Sequence, residues 1–172
     1  MVKVGNRCMI NTINKAAANY AEVRVVIIGG NHDPMGTVIA RDMLQHIYAN
    51  TPNIKIEEVE TPYYAFKFGK VMLGYHHGDF VKPDDMPLIL ATEYPEIWGS
   101  TEYRYAHLGD KHHKYRSKEQ RGCEVLQHPT LCGRNTYEMS HAYNSLPAAL
   151  THVYAVDGGV VEEQTIRPEM VL

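Results

Sequence analysis

The chain has 172 residues, of which 44% are hydrophobic and 22% are charged, and its formal net charge is −3. This composition is ordinary for a globular protein with a sizeable core, and the length predicts one domain over residues 1–172. The charge excludes a chain-wide basic surface for nucleic acid, and no apolar run reaches the roughly 18 residues of a membrane helix. The three cysteines form no close pair and the N-terminus lacks a signal-peptide core, so we expect reduced thiols, a cytoplasmic location and no membrane partner.

The first predicted elements are a helix, a strand and a second helix. The Ala-rich residues 11–21 favour a helix, with Asn11 or Thr12 as its cap. Residues 23–28 are almost all β-branched, which predicts a buried strand, and residues 36–49 have helical spacing. The loop between them therefore lies at the carboxyl end of a strand, where open α/β sheets place their ligand sites.

The remaining chain predicts further strands, two helices and a terminal hairpin with a Gly-rich turn. The predicted strands are 54–59, 63–68, 71–76, 102–107, a pair at 112–115 and 123–127, and the hairpin at 150–156 and 160–167, with helices at 83–94 and 137–143.

Predicted strands end in turns rich in Gly, His and Asp. These turns are Gly30-Asn31-His32-Asp33, His77-Gly78-Asp79 and Gly109-Asp110-Lys111-His112-His113. Because such strand ends can meet at one edge of a sheet, their side chains can form one site. A mixed nitrogen and oxygen set suits manganese, iron or zinc better than calcium or magnesium, and lacks the thiolates of structural zinc. We expect a divalent metal, first of all manganese, with iron, zinc and magnesium as alternatives.

Each candidate residue offers a definite group to such a site. The amide oxygen of Asn31, the imidazoles of His77 and His112, and a carboxylate from Asp110 or Asp79 are candidate ligands. His32 adjoins a ligand and can contact the phosphoryl oxygen or protonate a leaving alkoxide, a role worth on the order of 10²–10⁴ in rate. Asp33 can orient the His32 ring.

The order of these motifs resembles the calcineurin-like metallophosphoesterases. That family carries Asp-x-His, Gly-Asp-x-x-Asp, Gly-Asn-His-Asp/Glu, a lone His and Gly-His-x-His. Residues 30–33 match the third block, His77 matches the lone His, and residues 109–112 stand where the last block belongs. The stretch 75–113 is also similar to phage and prophage DNA exonuclease-like phosphoesterases, which are relatives of the double-strand-break repair nucleases. The resemblance covers about residues 23–167.

The resemblance implies an α/β fold, a metallophosphoesterase-type β-sandwich flanked by helices, of which this chain lacks the N-terminal portion. It implies a metal-dependent phosphodiesterase, a DNA exonuclease-like hydrolase using a metal-activated water with His32 assisting. Asn31 and His77 would bind the second metal, with Asp110 in place of its other His, and His112 would bind the first. Lys111 and His113 would contact the nucleic acid or other phosphodiester substrate. A small-molecule phosphatase would share the same site.

The chain departs from the family pattern at two places. Asp110 replaces the first His of the last block, and no Asp or His precedes His32. The Asp-x-His and Gly-Asp-x-x-Asp motifs, with the carboxylate that bridges the metals, are therefore absent, and we expect the two-metal site to be incomplete. The chain is then a fragment, a degenerate homologue, or one that takes missing ligands from a second chain. The alternative function is a non-catalytic module that binds nucleic acid or a partner chain.

Several residues leave a structural interpretation open beside the functional one. Residues 31–34 can form a helix cap, His76 points away from His77 and is expected to be structural or exposed, and His107 either supports a ligand or merely ends its strand. His128 lies equally well on the surface or near substrate. The basic segment 111–121 is either a solvated hairpin or a contact to phosphates.

Overall fold

The computed structural model describes residues 2–111, 115–116, 121–133, 139–140 and 145–170. Helices and several sheets occur together in these ranges, so the fold is of mixed α/β type, in agreement with the predicted class. The chain divides into two compact units, Met1–Pro62 and Tyr63–Leu172. The single domain and the metallophosphoesterase-type sandwich stay predictions. No helix in the described ranges is both long and apolar enough to cross a membrane.

The first unit packs two helices on a small parallel sheet. Its elements are α1 (Val2–Asn19), β1 (Val23–Val25), α2 (Pro34–Tyr48) and β2 (Ile54–Ile56). The strands β1 and β2 pair in parallel along their full length. The buried centre of the unit consists of apolar side chains from both helices and from β2, namely Ile13, Leu44, Tyr48 and Ile54.

Several boundaries in this unit differ from those predicted, among them the end of β2, which stops at Ile56 rather than at residue 59. The helix α1 begins at Val2, so Asn11 and Thr12 lie in its interior and the prediction that one of them is the cap is wrong. The earlier start places Ile10 in the helix, where it packs on the same face as Ile13. This apolar spacing of three residues was hard to see beside the Ala-rich segment. The strand β1 stops at Val25 rather than at residue 28, because its ladder extends only as far as the three residues of β2.

The second unit is built on a five-stranded sheet in the order β3-β4-β5-β7-β6. The central strands β4, β5 and β7 are parallel, and β3 and β6 pair antiparallel at the two edges. Both β3 and β4 have the predicted bounds. The predicted pairing of residues 112–115 with 123–127 is confirmed at Tyr115, which pairs with Gln127, and residues 112–114 lie outside the described residues. The strands are β3 (Tyr63–Phe68), β4 (Val71–His76), β5 (Tyr103–Leu108), β6 (Tyr115–Arg116) and β7 (Glu124–Gln127).

Helices cover one face of this sheet. A 3₁₀ turn at Pro83–Asp85 leads into α3 (Met86–Glu93) and α4 (Pro95–Gly99). Their apolar residues pack on a buried layer that includes Met72 and Val125. The prediction of one helix over residues 83–94 is wrong in detail, because residues 83–85 form the 3₁₀ turn and the α-helix spans only Met86–Glu93. It ends there because the residue before Pro95 is disfavoured in helical geometry, and a new helix starts at Pro95.

The terminal hairpin covers the other face of the sheet, as contacts within the second unit show. It consists of β8 (Ala149–Ala155) and β9 (Gly159–Ile166), so the predicted hairpin is confirmed. Tyr154 and Val160 pack against Tyr105, whose hydroxyl accepts a hydrogen bond from the Val160 N–H at 2.9 Å. Gly159 has a φ of +72°, and a Cβ there would lie 2.6 Å from the same hydroxyl, so only glycine fits. The predicted helix at 137–143 falls mostly outside the described residues.

Candidate functional site

The ends of β4 and β5 place two predicted ligands side by side. These strands are parallel neighbours with His76 opposite Leu108, so His77 and Gly109 both lie just past the carboxyl edge. The Gly109 N–H donates to the His77 carbonyl at 2.8 Å and continues the ladder by one residue. The chain then turns through Asp110, whose φ of 61° lies in the left-handed region.

The site at this edge consists of an imidazole, a carboxylate and an ammonium group. The Nε2 of His77 lies 3.5 Å from Oδ1 of Asp110, and the two side chains are 26% and 15% exposed. The Nζ of Lys111 lies 2.8 Å from the other oxygen of Asp110. The hydrogen bond to Asp110, followed by its charge, raises the pKa of Lys111, so this ammonium stays positive. Three predicted site residues are therefore brought together in the second unit.

This arrangement fits one side of a divalent metal site. Two atoms that each bind an ion at about 2.1 Å with a tetrahedral angle lie about 3.4 Å apart, close to the separation of the His77 nitrogen and the Asp110 oxygen. The Lys111 ammonium pairs with the other oxygen of this carboxylate. Among the described residues, no three His, Cys, Asp or Glu side chains form a group able to hold a metal. The predicted ligand His112 and the predicted substrate contact His113 lie outside the described residues.

The loop with Asn31, His32 and Asp33 belongs to the first unit. Its best-defined group is Asp33, whose Oδ1 accepts a hydrogen bond from the Gly36 N–H at 2.8 Å and so caps α2. A Cβ at Gly36 would overlap that carboxylate, so glycine at this position permits the cap. The cap interpretation of this loop is thus confirmed for Asp33. The catalytic role of Asp33 stays a prediction. The roles of Asn31 and His32, whose side chains are exposed, also stay predictions.

His76 has a structural position, one of the two expected for it. The side chain is buried, and its Nδ1 accepts the N–H of Gly78 at 2.8 Å. The ring stacks on Tyr63 with a centroid separation of 4.9 Å. Burial lowers the pKa of His76, which favours the neutral ring that can accept this hydrogen bond. His76 therefore shapes the turn that presents His77.

Sequence reasoning missed a group of three histidines on the hairpin-covered face of the sheet, which we call the histidine cluster: His107, His128 and His152. The Nδ1 of His107 lies 2.7 Å from Nε2 of His128, and the Tyr154 hydroxyl lies 3.1 Å from Nε2 of His107. His107 and His128 had been left open, and His152 had no assigned role. The alternation of His152 and Tyr154 along β8 was the available signal, but it does not reveal which sheet face they meet.

Comparison of the chain with known protein families and with curated proteins gives no match. The resemblance to metallophosphoesterases therefore depends on the motifs themselves and on the positions of their residues.

Proposed function

We propose that this chain is a metal-dependent phosphoesterase of the calcineurin-like type, acting on phosphodiesters as a DNA exonuclease-like hydrolase. We further propose that it corresponds to the C-terminal part of that fold. The observation that carries the proposal is the pairing of His77 with Asp110 at 3.5 Å, produced by two neighbouring strand ends whose motifs stand in the family's order.

The residues of the second unit have distinct parts in this proposal. His77 and Asp110 would hold the ion, for which manganese is the expected choice. When bound, a divalent ion supplies Lewis-acid activation of water and neutralises charge on the phosphoryl group. Asp110 supplies the negative charge that attracts the cation. Lys111, kept protonated, attracts the anionic phosphodiester.

His32 enters the proposal through its motif. By resemblance, its imidazole would protonate the leaving alkoxide, and Asn31 would offer an amide oxygen as a metal ligand. Both side chains are exposed in a loop that the Asp33 cap anchors to α2, so each is accessible to a ligand. No disulfide joins Cys8, Cys123 and Cys132, which accords with the reducing cytoplasm that we propose as the location.

A second candidate function is a non-catalytic module that binds nucleic acid or a partner chain. The specific observation in its favour is that no three His, Cys, Asp or Glu side chains among the described residues form a group able to hold a metal, so the ligands that complete a two-metal centre are lacking there. A second chain that supplies those ligands would reconcile this lack with activity.

Hydrolysis assays distinguish the two functions. The purified chain is incubated with Mn²⁺ and either bis(p-nitrophenyl) phosphate or end-labelled duplex DNA, beside the variants His77→Ala and His32→Ala. The control is His46→Ala, which removes a 79% exposed histidine of α2. We expect Mn²⁺-dependent hydrolysis that falls at least about tenfold in His77→Ala and about 10²-fold or more in His32→Ala, and is unchanged in the control.

Each other outcome has a definite meaning. Hydrolysis that survives His77→Ala would reject the site. If the protein binds DNA without hydrolysing it, with or without Mn²⁺, the result would support the non-catalytic module instead. Cleavage of the small diester but not of DNA ends would retain the phosphoesterase and reject the exonuclease-like substrate.

A further inference from the structure

The histidine cluster joins three separate elements of the second unit. His107 lies on β5, His128 directly follows β7, and His152 lies on β8 of the hairpin. The ring centroid of His107 lies 5.0 Å from that of His128 and 5.4 Å from that of His152. The centroids of His128 and His152 are 5.8 Å apart. The sheet and the hairpin therefore meet through three imidazoles in direct contact.

The contact between His107 and His128 depends on their protonation. Their facing nitrogens are 2.7 Å apart and their ring planes differ by 13°, which is the geometry of an N–H···N hydrogen bond. Such a bond needs one donor and one acceptor, so the facing pair of nitrogens holds a single proton. The other nitrogen of His107 contacts the Tyr154 hydroxyl at 3.1 Å, which links the pair to the hairpin. Protonation of both rings would set two donors against each other.

Among the described residues, few charges around the histidine cluster can offset added protons. Glu163 of β9 lies 3.4 Å from Nε2 of His152 and can balance one positive charge. The other titratable neighbours are mostly tyrosines, whose neutral hydroxyls offset no charge. Within the described ranges, the titratable groups that contact the cluster or its neighbour Tyr154 are Tyr75 of β4, Tyr105 of β5, Glu124 of β7 and Glu163 of β9.

We propose that the histidine cluster is an acid-sensitive contact, which holds the β8–β9 hairpin on the five-stranded sheet and progressively releases it as the pH falls below about 6.5. The occupant of the covered face at neutral pH is the hairpin itself. Acid would uncover the aromatic and histidine side chains of that face.

The direction of the pH effect follows from the burial of His107. Burial, reinforced by the neighbouring His128 and His152, lowers the pKa of His107 well below its ordinary value. In the released state its pKa returns to about 6.5. At pH values between the lowered pKa of the covered state and about 6.5, the released state binds more protons than the covered state. The contact is therefore fully stable above about pH 6.5 and weakens as the pH falls. For each extra proton bound, the opening equilibrium rises by up to about tenfold per pH unit.

The hairpin is the element that acid would release, because in the part of the chain that the structure describes it shares no strand ladder with the sheet it covers. The described strands β8 and β9 form a separate two-stranded sheet, whereas β4, β5 and β7 are joined by continuous ladders. The hairpin is attached through side chains and through isolated hydrogen bonds, such as Lys70 N–H to the Val156 carbonyl at 2.7 Å. Loss of the histidine contacts therefore weakens the attachment of the hairpin before it affects the strand ladders of the five-stranded sheet.

Hydrogen exchange of the intact protein at pH 7.5 and pH 5.0 tests the proposal. Rates are corrected for intrinsic exchange, and EDTA is present so that loss of a bound metal cannot cause the change. We expect the amides of β8 and β9 to lose protection at least about tenfold at pH 5.0, while those of β4, β5 and α2 keep theirs. Unchanged protection of the hairpin, or an equal loss throughout the chain, would overturn the proposal.

The variant His128→Gln, with His46→Gln as control, identifies the responsible protons. Glutamine keeps a hydrogen-bonding group beside His107 but does not titrate, so the pH dependence of hairpin exchange becomes shallower, and the control leaves it unchanged. An undiminished pH dependence in folded His128→Gln would reject the assignment. If that variant does not fold, NMR titration of the histidine rings in the wild-type protein replaces it as the test. If all three rings titrate near pH 6.5 and the hairpin amides do not change, the proposal is overturned.

Discussion

Asp33 follows the proposed catalytic His32, and its carboxylate also caps α2. Substitution separates these two roles. Asp33→Ala removes the cap and should lower the free energy of unfolding by about 1 kcal/mol, whereas Asp33→Asn keeps a capping oxygen and should cost much less. Urea unfolding measures both. Equal destabilisation by the two variants would contradict the cap, and loss of hydrolysis in the stable Asp33→Asn variant would assign the charge a part in the reaction.

Individual residues of the site were predictable where a side chain directly follows a strand. His77 and Asp110 were predicted as ligands, and the structure brings them together because parallel neighbours end at one edge. The different role of His76 was also predictable, since side chains alternate along a strand. The cap by Asp33 was only an alternative, because the same Asn-His-Asp-Pro letters suit a capped turn and a phosphate-handling loop.

The helix α3 offers a direct test of how the sheet is covered. Leu90 is fully buried over Gly74 of β4, while Leu88 on the same helix is 62% exposed. Leu90→Ala should lower the free energy of unfolding by about 2–5 kcal/mol, because it removes transfer energy and leaves a cavity. Leu88→Ala should change it by less than about 0.5 kcal/mol. Similar values for the two variants in denaturant unfolding would contradict the placement of α3.

Elements with a strong local pattern were predicted well, and those shaped by their neighbours were not. The strands β3 and β4 and the terminal hairpin carry alternating or continuous apolar residues between glycine turns, and their positions are confirmed. The extent of β1 depends instead on its partner β2, which is three residues long. The start of α1 was missed because sparse apolar residues at helical spacing were obscured by its Ala-rich second half.

At the scale of the whole molecule, the sequence predicted the α/β class but not the order of the strands. The histidine cluster needs β5 beside β7 and the hairpin across their common face, contacts between residues as far apart as His107 and His152. No local pattern encodes such pairings. The division into two units, Met1–Pro62 and Tyr63–Leu172, was likewise invisible in a chain without a recognisable linker.

The central claim is that His77 and Asp110 hold the divalent metal of a phosphoesterase, and Mn²⁺ binding measured by calorimetry tests it most directly. The protein is compared with Asp110→Asn, with Asp157→Asn in the exposed hairpin turn as the control. We predict saturable binding by the wild-type chain, weakened at least about tenfold in Asp110→Asn and unchanged in the control. No binding by the wild-type chain, or equal binding by Asp110→Asn, would contradict the account.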